Sequence, residues 1–372
     1  MNDKRGKLLF VTPNLGADNK YFGGYVVSER NYSVLTELTD VDIEPLKVYK
    51  KERGIAQIWN LLSVLARMLF LYSSGLSGKR VREILRTLEK GGYDTVFVDN
   101  SLCGKLVKRI KKEFPGIRVI SFFHNVEFKF IYAEFTTGRL EQLPRLITAY
   151  VNESLTAKYS DICIALTNKE KEMIREVYKR DAEMVIEVSL RSKDVKNDNS
   201  PFNAGHPTYL FVGSHFFANA QGIETFVNEV FVHLPGELLI VGKGMENLQG
   251  KFTNENIRIL GSVNDLGEYY AKADIVVTPL YIGAGMKVKV AEALMYGKYI
   301  FGTSVSFEGY ELDYKQVGGL FDESKDMVAG IRQFLSAPPA EKYNQYARNV
   351  FEEKYANETA VVKFASVLKN GG

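Results

Sequence analysis

Cysteine is nearly missing from this 372-residue chain, which has only Cys103 and Cys163, each inside an apolar stretch. Two isolated thiols cannot build the disulfide framework of a small secreted scaffold. Both read as buried small hydrophobes in a reducing compartment. Histidine is also scarce: His124, His206, His215 and His233 are scattered without the paired spacing of a zinc site, so no metal is expected. Net charge is low, +3 from 48 Lys+Arg against 45 Asp+Glu, too little to draw the chain to nucleic acid. Long apolar runs are absent as well. Nothing approaches the roughly eighteen uncharged apolar residues of a spanning helix, and the run from Leu8 to Thr12 is too short for a secretory signal. A cytoplasmic protein is expected. No GxGxxG follows the first strand-like run, which argues against a dehydrogenase.

What is present is a globular composition, 45% hydrophobic and 25% charged, at a length that suits two domains. In the first half the strand-like runs "KLLFVT", "DTVFVD", "IRVISFF" and "DICIAL" alternate with helical patterns. These patterns cover Val26–Leu38, Lys79–Lys90, Leu102–Phe114, Leu140–Tyr159 and Lys169–Tyr178. A polar stretch rich in Asn, Asp, Ser, Pro and Gly, Arg191 to Thr208, holds almost nothing to bury. Beyond it the alternation restarts with "YLFVGS", a helix over Gly222–Val232, "ELLIVG", "IRILG", "DIVVTP" and "YIFGTS". The expected architecture is α/β, with two domains built on mostly parallel sheets. The first domain spans 1–190, a linker 191–207 and the second domain 208–352, and a terminal stretch 353–372 returns toward the first. In such sheets ligands bind beyond the carboxyl ends of strands, so a cleft between the domains is the expected site.

The segment Ile58–Tyr72 holds one charge, Arg67, and its polar members Asn60, Ser63 and Arg67 form one narrow stripe. Basic residues flank it: Lys47, Lys50, Lys51 and Arg53 before, Lys79, Arg80, Arg82 and Arg86 after. Two readings stand: a core helix with ordinary charged neighbours, or an interfacial helix at an anionic membrane face.

The chemistry concentrates in "PLYIGAGMKVKVAEALMYGK", Pro279 to Lys298. A strand ends at proline. Gly283 and Gly285 then allow a sharp turn and close approach of a ligand to the backbone, and a helix follows. Its N-terminus presents free N–H groups and positive dipole, which attract phosphate. Lys287 and Lys289 lie where the dipole disfavours cations, which makes sense if a multiply charged anion binds there. Glu292, three residues after Lys289, shares its face and could accept hydrogen bonds from ribose hydroxyls. Phosphate at the turn with ribose at the glutamate describes a nucleoside diphosphate; a solvated Lys–Glu helix pair is the alternative.

These residues carry a resemblance. "GAGMKVKVAEALMYGK" followed by "GTSVSFEGYE" is similar to the donor-site signature of the retaining family 4 (group 1) glycosyltransferases, which have the GT-B fold of two Rossmann-like domains facing a central cleft. "LFVGSHFFANAQGIETFVNEV", "RILGSVNDLGEYYAKADIVVTPL", "FFHNVE" and "FGGYVVSERNYSVL" resemble other segments of that family. The resemblance implies that Glu292 holds the donor ribose, and that Lys287 and Lys289 face the diphosphate with the backbone of Gly283, Gly285 and Met286. It places Val263 by the base and Ser214 and Glu308 at the donor pocket. Gly23 and Gly24 would let the first loop approach the diphosphate or acceptor, and His124 would serve the sugar. It implies retention of configuration and a nucleotide-diphosphate sugar as co-substrate, with UDP as the favoured carrier and no metal cofactor. The acceptor would be a glycan or lipid-linked, in cell-surface polysaccharide synthesis at the cytoplasmic face of the membrane.

Two departures stand out. Eight residues before Glu292, where many relatives have a second glutamate, this chain has Ala284. The basic pair usual in the early second domain is missing from "GSHFFANAQGI", so Lys287 and Lys289 are expected to take over phosphate duty. A sugar-nucleotide epimerase on the same fold, or a nucleotide-sugar-binding scaffold without turnover, are the competing readings. His124 and His215 as structural histidines, and Asp99 and Asn100 as helix caps, remain open.

Overall fold

The computed structural model describes residues 6–15, 23–46, 70–73, 75–136, 138–193 and 200–369. Most of the segment Ile58–Tyr72, through residue 69, lies outside these residues, as do Lys47, Lys50, Lys51, Arg53 and linker positions 194–199. The chain divides into two compact units. The first includes Gly24–Glu187 and the chain from Ala360 onward, and the second includes Val188–Thr359.

The first unit runs β1 (Lys7–Thr12), α1 (Gly23–Leu38), β2 (Asp40–Pro45), α2 (Gly78–Gly91), β3 (Thr95–Val98), α3 (Gly104–Glu113), β4 (Arg118–Phe123), α4 (Glu127–Thr136), α5 (Leu143–Tyr159), β5 (Ile162–Ala165), α6 (Asn168–Tyr178) and β6 (Met184–Val185). Among the described residues its strands form one six-stranded sheet, β2-β1-β3-β4-β5-β6, and every pairing is parallel. The interior strands are buried on both faces, which is why they read as continuous apolar runs. Helix α2 is bounded by local chemistry. The Ser77 side chain accepts the Arg80 N–H, and Gly92 takes the left-handed conformation (φ 62°) just past its end.

The second unit runs β7 (Thr208–Val212), α7 (Phe217–Thr225), β8 (Glu237–Val241), β9 (Ile257–Gly261), α8 (Gly267–Lys272), β10 (Ile275–Thr278), α9 (Val288–Met295), β11 (Tyr299–Gly302), α10 (Tyr314–Val317), β12 (Gly318–Leu320), α11 (Ser324–Ser336) and α12 (Gln345–Val350). Its six-stranded sheet has the order β12-β11-β10-β7-β8-β9, again parallel throughout. The last helix, α13 (Asn357–Lys369), is tied into the first unit. Its Phe364 ring lies 5.9 Å from that of Phe97, and Arg118 donates to the carbonyls of Val367 (2.7 Å) and Leu368 (3.2 Å).

The strand-like runs read from the sequence coincide with the interior strands of both sheets and with one edge strand, β9. Three strands escaped that reading, β2, β6 and β12, and each is a sheet edge. The helix expected over Gly222–Val232 begins earlier, at Phe217. After Thr225 it widens into a π turn over Phe226–Val230. The helices expected from Leu102 and Leu140 begin at Gly104 and Leu143, each after a 3-10 turn. No helix among the described residues is long and apolar enough to cross a membrane.

Each strand order reverses once. In the first sheet the chain goes to opposite sides of β1, opening a switch point between β1 and β3. In the second the switch point lies between β7 and β10. A crevice opens beyond the strand ends at such a point, and ligands of open α/β sheets bind there.

Candidate functional site

At the second switch point two loops leave neighbouring strands: Gly213–Phe216 after β7 and Pro279–Lys287 after β10. The glycine turn has the backbone expected of it, with φ 148° at Gly283 and 70° at Gly285. The helix opens slightly later than the sequence suggests. Lys287 is the N-cap of α9 rather than a first-turn residue, and its side chain makes no cap hydrogen bond. The Lys287 ammonium turns back over the loop, donates to the Gly285 carbonyl and has a carboxylate oxygen of Glu308 at 3.6 Å. Tyr310 fastens the first rung of the helix: its hydroxyl donates to the Lys287 carbonyl (2.9 Å) and accepts the Ala291 N–H (3.2 Å).

Lys289 points the other way, into the loop after β7. Its amine donates to Oδ1 of Asn219 (2.8 Å) and lies 4.3 Å from the centre of the Phe211 ring. Asn219 in turn donates through Nδ2 to the Ser214 carbonyl (2.8 Å). Gly213 makes room: a Cβ there would sit 3.0 Å from both the Lys289 amine and Asn219 Nδ2. Burial pushes the Lys289 amine down to about 7, aided by Lys287 and opposed by Glu292. Glu292 moves the other way. Burial raises its carboxyl, held in check by the Tyr270 hydroxyl (3.3 Å) and by the charges of Lys289 and Lys193. Tyr270 is itself fixed by a stacked pair with Tyr296, ring centres 4.4 Å apart.

Thus Ser214, Gly283, Gly285, Lys287, Lys289, Glu292 and Glu308 come together in one unit. Met286 contributes its buried side chain to structure: its sulfur accepts the Val188 N–H at 3.4 Å. Val263 lies in the turn between β9 and α8. Asn219, Phe211, Tyr270 and Tyr310 were not singled out from the sequence. An asparagine inside a helical pattern carries no signal that its side chain turns toward a lysine 70 positions away.

At the first switch point, Asp99 follows β3 and is fully enclosed. It accepts hydrogen bonds from Thr12 (2.8 Å) and Asn31 (2.9 Å), and His124 Nε2 lies 3.1 Å away. Asp99 is therefore no helix cap, whereas Asn100 is one, accepting the Leu102 N–H. His124 is only partly buried and is braced edge-on by Phe122 at 4.9 Å. The loop after it leads into α4, whose start is held by the buried Glu153. That carboxylate accepts the N–H groups of Glu127 and Phe128 and the hydroxyls of Ser101 and Tyr178. Burial nevertheless pushes Glu153 up to about 7. Gly23 and Gly24 open α1, both exposed and neither with positive φ, so what glycine supplies there is the absence of a Cβ. His215 is exposed, with its backbone N–H on the Lys243 carbonyl (2.8 Å).

Comparison with known proteins agrees with this fold. The chain has the fold of nucleotide-sugar glycosyltransferases of the GT-B type. It is similar over 98% of both chains to a sucrose-phosphate synthase from Thermosynechococcus elongatus (TM-score 0.71, 16% identity). A glycosyltransferase from Rickettsia africae matches 99% of this chain and 98% of its own (TM-score 0.67, 15% identity). The Anabaena protein HepE, in complex with UDP-glucose, matches 98% of this chain and 100% of its own (TM-score 0.66, 12% identity). Residues 206–337, the stretch holding β7 to α11, match the family model of the glycosyl transferases group 1. No curated protein matches the sequence.

Proposed function

We propose that this protein is a retaining glycosyltransferase that moves a sugar, of the hexosyl type, from a nucleotide-diphosphate sugar to a glycan or lipid-linked acceptor, with UDP as the carrier. The observation that carries the reading is the convergence of Lys287, Lys289 and Glu292 at the β7/β10 switch point, behind a glycine turn. Solved structures of the same fold hold UDP-glucose in HepE and ADP in a starch synthase from Arabidopsis thaliana.

In this reading the diphosphate lies at the start of α9, against backbone N–H groups and the two lysines, and Glu292 takes the ribose hydroxyls. As the sugar departs, negative charge builds on the distal phosphate. Lys287, Lys289 and the helix dipole at the start of α9 stabilise that charge. The reacting carbon becomes oxocarbenium-like, as in glycoside hydrolysis, and the acceptor enters on the face the diphosphate leaves. His124, held by Asp99, is assigned to a hydroxyl of the transferred sugar. Lysine and dipole supply the charge stabilisation that a metal ion would otherwise give, so the reaction proceeds without a metal. We place the work in cell-surface polysaccharide synthesis, with the protein at the cytoplasmic face of the membrane.

The test is calorimetry and thermal shift with UDP-, GDP-, ADP- and CMP-sugars on the wild type and Glu292→Ala. A carrier at a hundredfold over its dissociation constant stabilises the wild type by about 2.7 kcal/mol. The Glu292→Ala variant loses most of that shift, since hydrogen bonds to a charged group contribute about 1.5–3 kcal/mol each. Product anomeric configuration, read by NMR, decides retention. A panel in which no carrier shifts the wild type sinks the reading.

A further inference from the structure

Lys287 and Lys289 stand two residues apart and are treated differently. Lys287 has Glu308 at 3.6 Å. Lys289 has no carboxylate within 4 Å among the described residues, and its near neighbours are neutral: the Asn219 amide oxygen and the face of Phe211. The orientation of Asn219 is set independently, because its Nδ2 is committed to the Ser214 carbonyl and so Oδ1 must face the amine. A neutral amide in this position holds either protonation state of the amine, donating none of the charge that a carboxylate would. The titratable groups around it are few. Lys287 and Glu292 come from its own helix. Tyr310 lies under the first turn and Tyr270 reaches Glu292 from α8, while α7 and β7 contribute Asn219 and Phe211, which do not titrate. The loop between them carries the exposed His215.

We propose that Asn219 is a positioning residue that holds the Lys289 amine ready without fixing its charge, and that binding of the nucleoside diphosphate draws one proton from solvent onto that amine. The inference rests on the donor site described above. Apart from the N–H bond made with a proton taken from solvent, no bond changes; the incoming phosphates supply the negative charge that stabilises the protonated Lys289. Donor affinity is then level below neutrality and falls about tenfold per pH unit above it, until the amine loses its proton in the complex as well.

Calorimetry with UDP-glucose at pH 8, in two buffers of different ionisation enthalpy, counts the protons taken up. UDP-glucose itself gains none in this range. The wild type takes up close to one. Asn219→Asp, which supplies a carboxylate of the same shape, holds the ammonium beforehand: it takes up almost none, and its dissociation constant stays level from pH 6.5 to 8.5. Binding by the wild type without proton uptake, or full uptake retained in Asn219→Asp, overturns the proposal.

A second readout needs no donor. The folded amine, lowered to about 7, binds fewer protons than the unfolded chain between there and the ordinary lysine value of 10.5. The stability of the wild type relative to Lys289→Met therefore rises with pH across that window. A flat difference overturns the proposal whether or not any donor binds. If the difference rises and no nucleotide sugar binds, the donor reading fails instead.

Discussion

At the first switch point a carboxylate, Asp99, is enclosed and supplied with donors from Thr12, Asn31 and His124. At the second, a lysine amine is drawn into the protein and given one neutral oxygen and a ring face. The first arrangement is satisfied by the protein itself. It orients His124 and stabilises the strand ends it joins. The second is incomplete, and in the proposed reading a phosphate group supplies what it lacks. The crevice of one sheet is thus a finished piece of structure that presents a side chain. The crevice of the other is left for a ligand to complete if the proposed function holds.

The comparison breaks first at Asp99. Replacing it with leucine leaves three donors without their acceptor, and at 1–3 kcal/mol for each buried unsatisfied group the unit loses about 4 kcal/mol. Urea denaturation checks this; a loss under about 1 kcal/mol would mean that water replaces the carboxylate, and the site is not closed. Gly242→Ala tests the backbone of the second crevice. Gly242 has φ 144°, and a Cβ there would lie 1.9 Å from the Gly213 carbonyl oxygen, so the loop after β7 cannot keep its place. The expected cost is about 3 kcal/mol of stability, measured by denaturation, together with loss of donor binding. The smallest stability effect, and the most telling, is Lys289→Met. Removing an amine the fold does not satisfy should raise stability by about 1 kcal/mol at pH 6 and less as pH rises, while nucleotide-sugar affinity falls tenfold or more. Equal destabilisation by Asp99→Leu and Lys289→Met would erase the distinction between the two crevices.

The sequence showed the interior of both sheets because interior parallel strands are apolar on both faces. It hid three of the four edges for the same reason, β9 ("IRILG") being the one edge that alternates clearly enough to read. Strand β2 reads "DVDIEP", with most of its side chains exposed, and is held by Asp42 with Lys7 and Glu44 with Arg80 rather than by burial. Strand β12 is "GGL", whose pairing comes from β11 and not from any propensity. Helix α4, "EFKFIYAEFT", has no clean apolar stripe; its start is fixed by Glu153, contributed by a helix that follows it in the chain. At the site, the glycine turn, both lysines and Glu292 were legible because their chemistry is local to one strand–turn–helix. What was not legible is which way each lysine turns. That depends on Glu308 and Asn219, which the sheet order brings in from elements far away in sequence.

The first unit is interrupted by the second. Helix α13, which covers Phe97 and gives its last carbonyls to Arg118, leaves the ribosome only after all of Val188–Thr359 has been made. At synthesis rates of about 5–20 residues per second, the first sheet waits roughly 10–40 s for its final helix. The second unit, continuous in sequence, can fold during that interval. The order of completion on the ribosome is therefore the reverse of the order of synthesis. The nascent chain carries a nearly finished first sheet with an open flank around Phe97 and Arg118, a surface on which a chaperone or a premature contact would act.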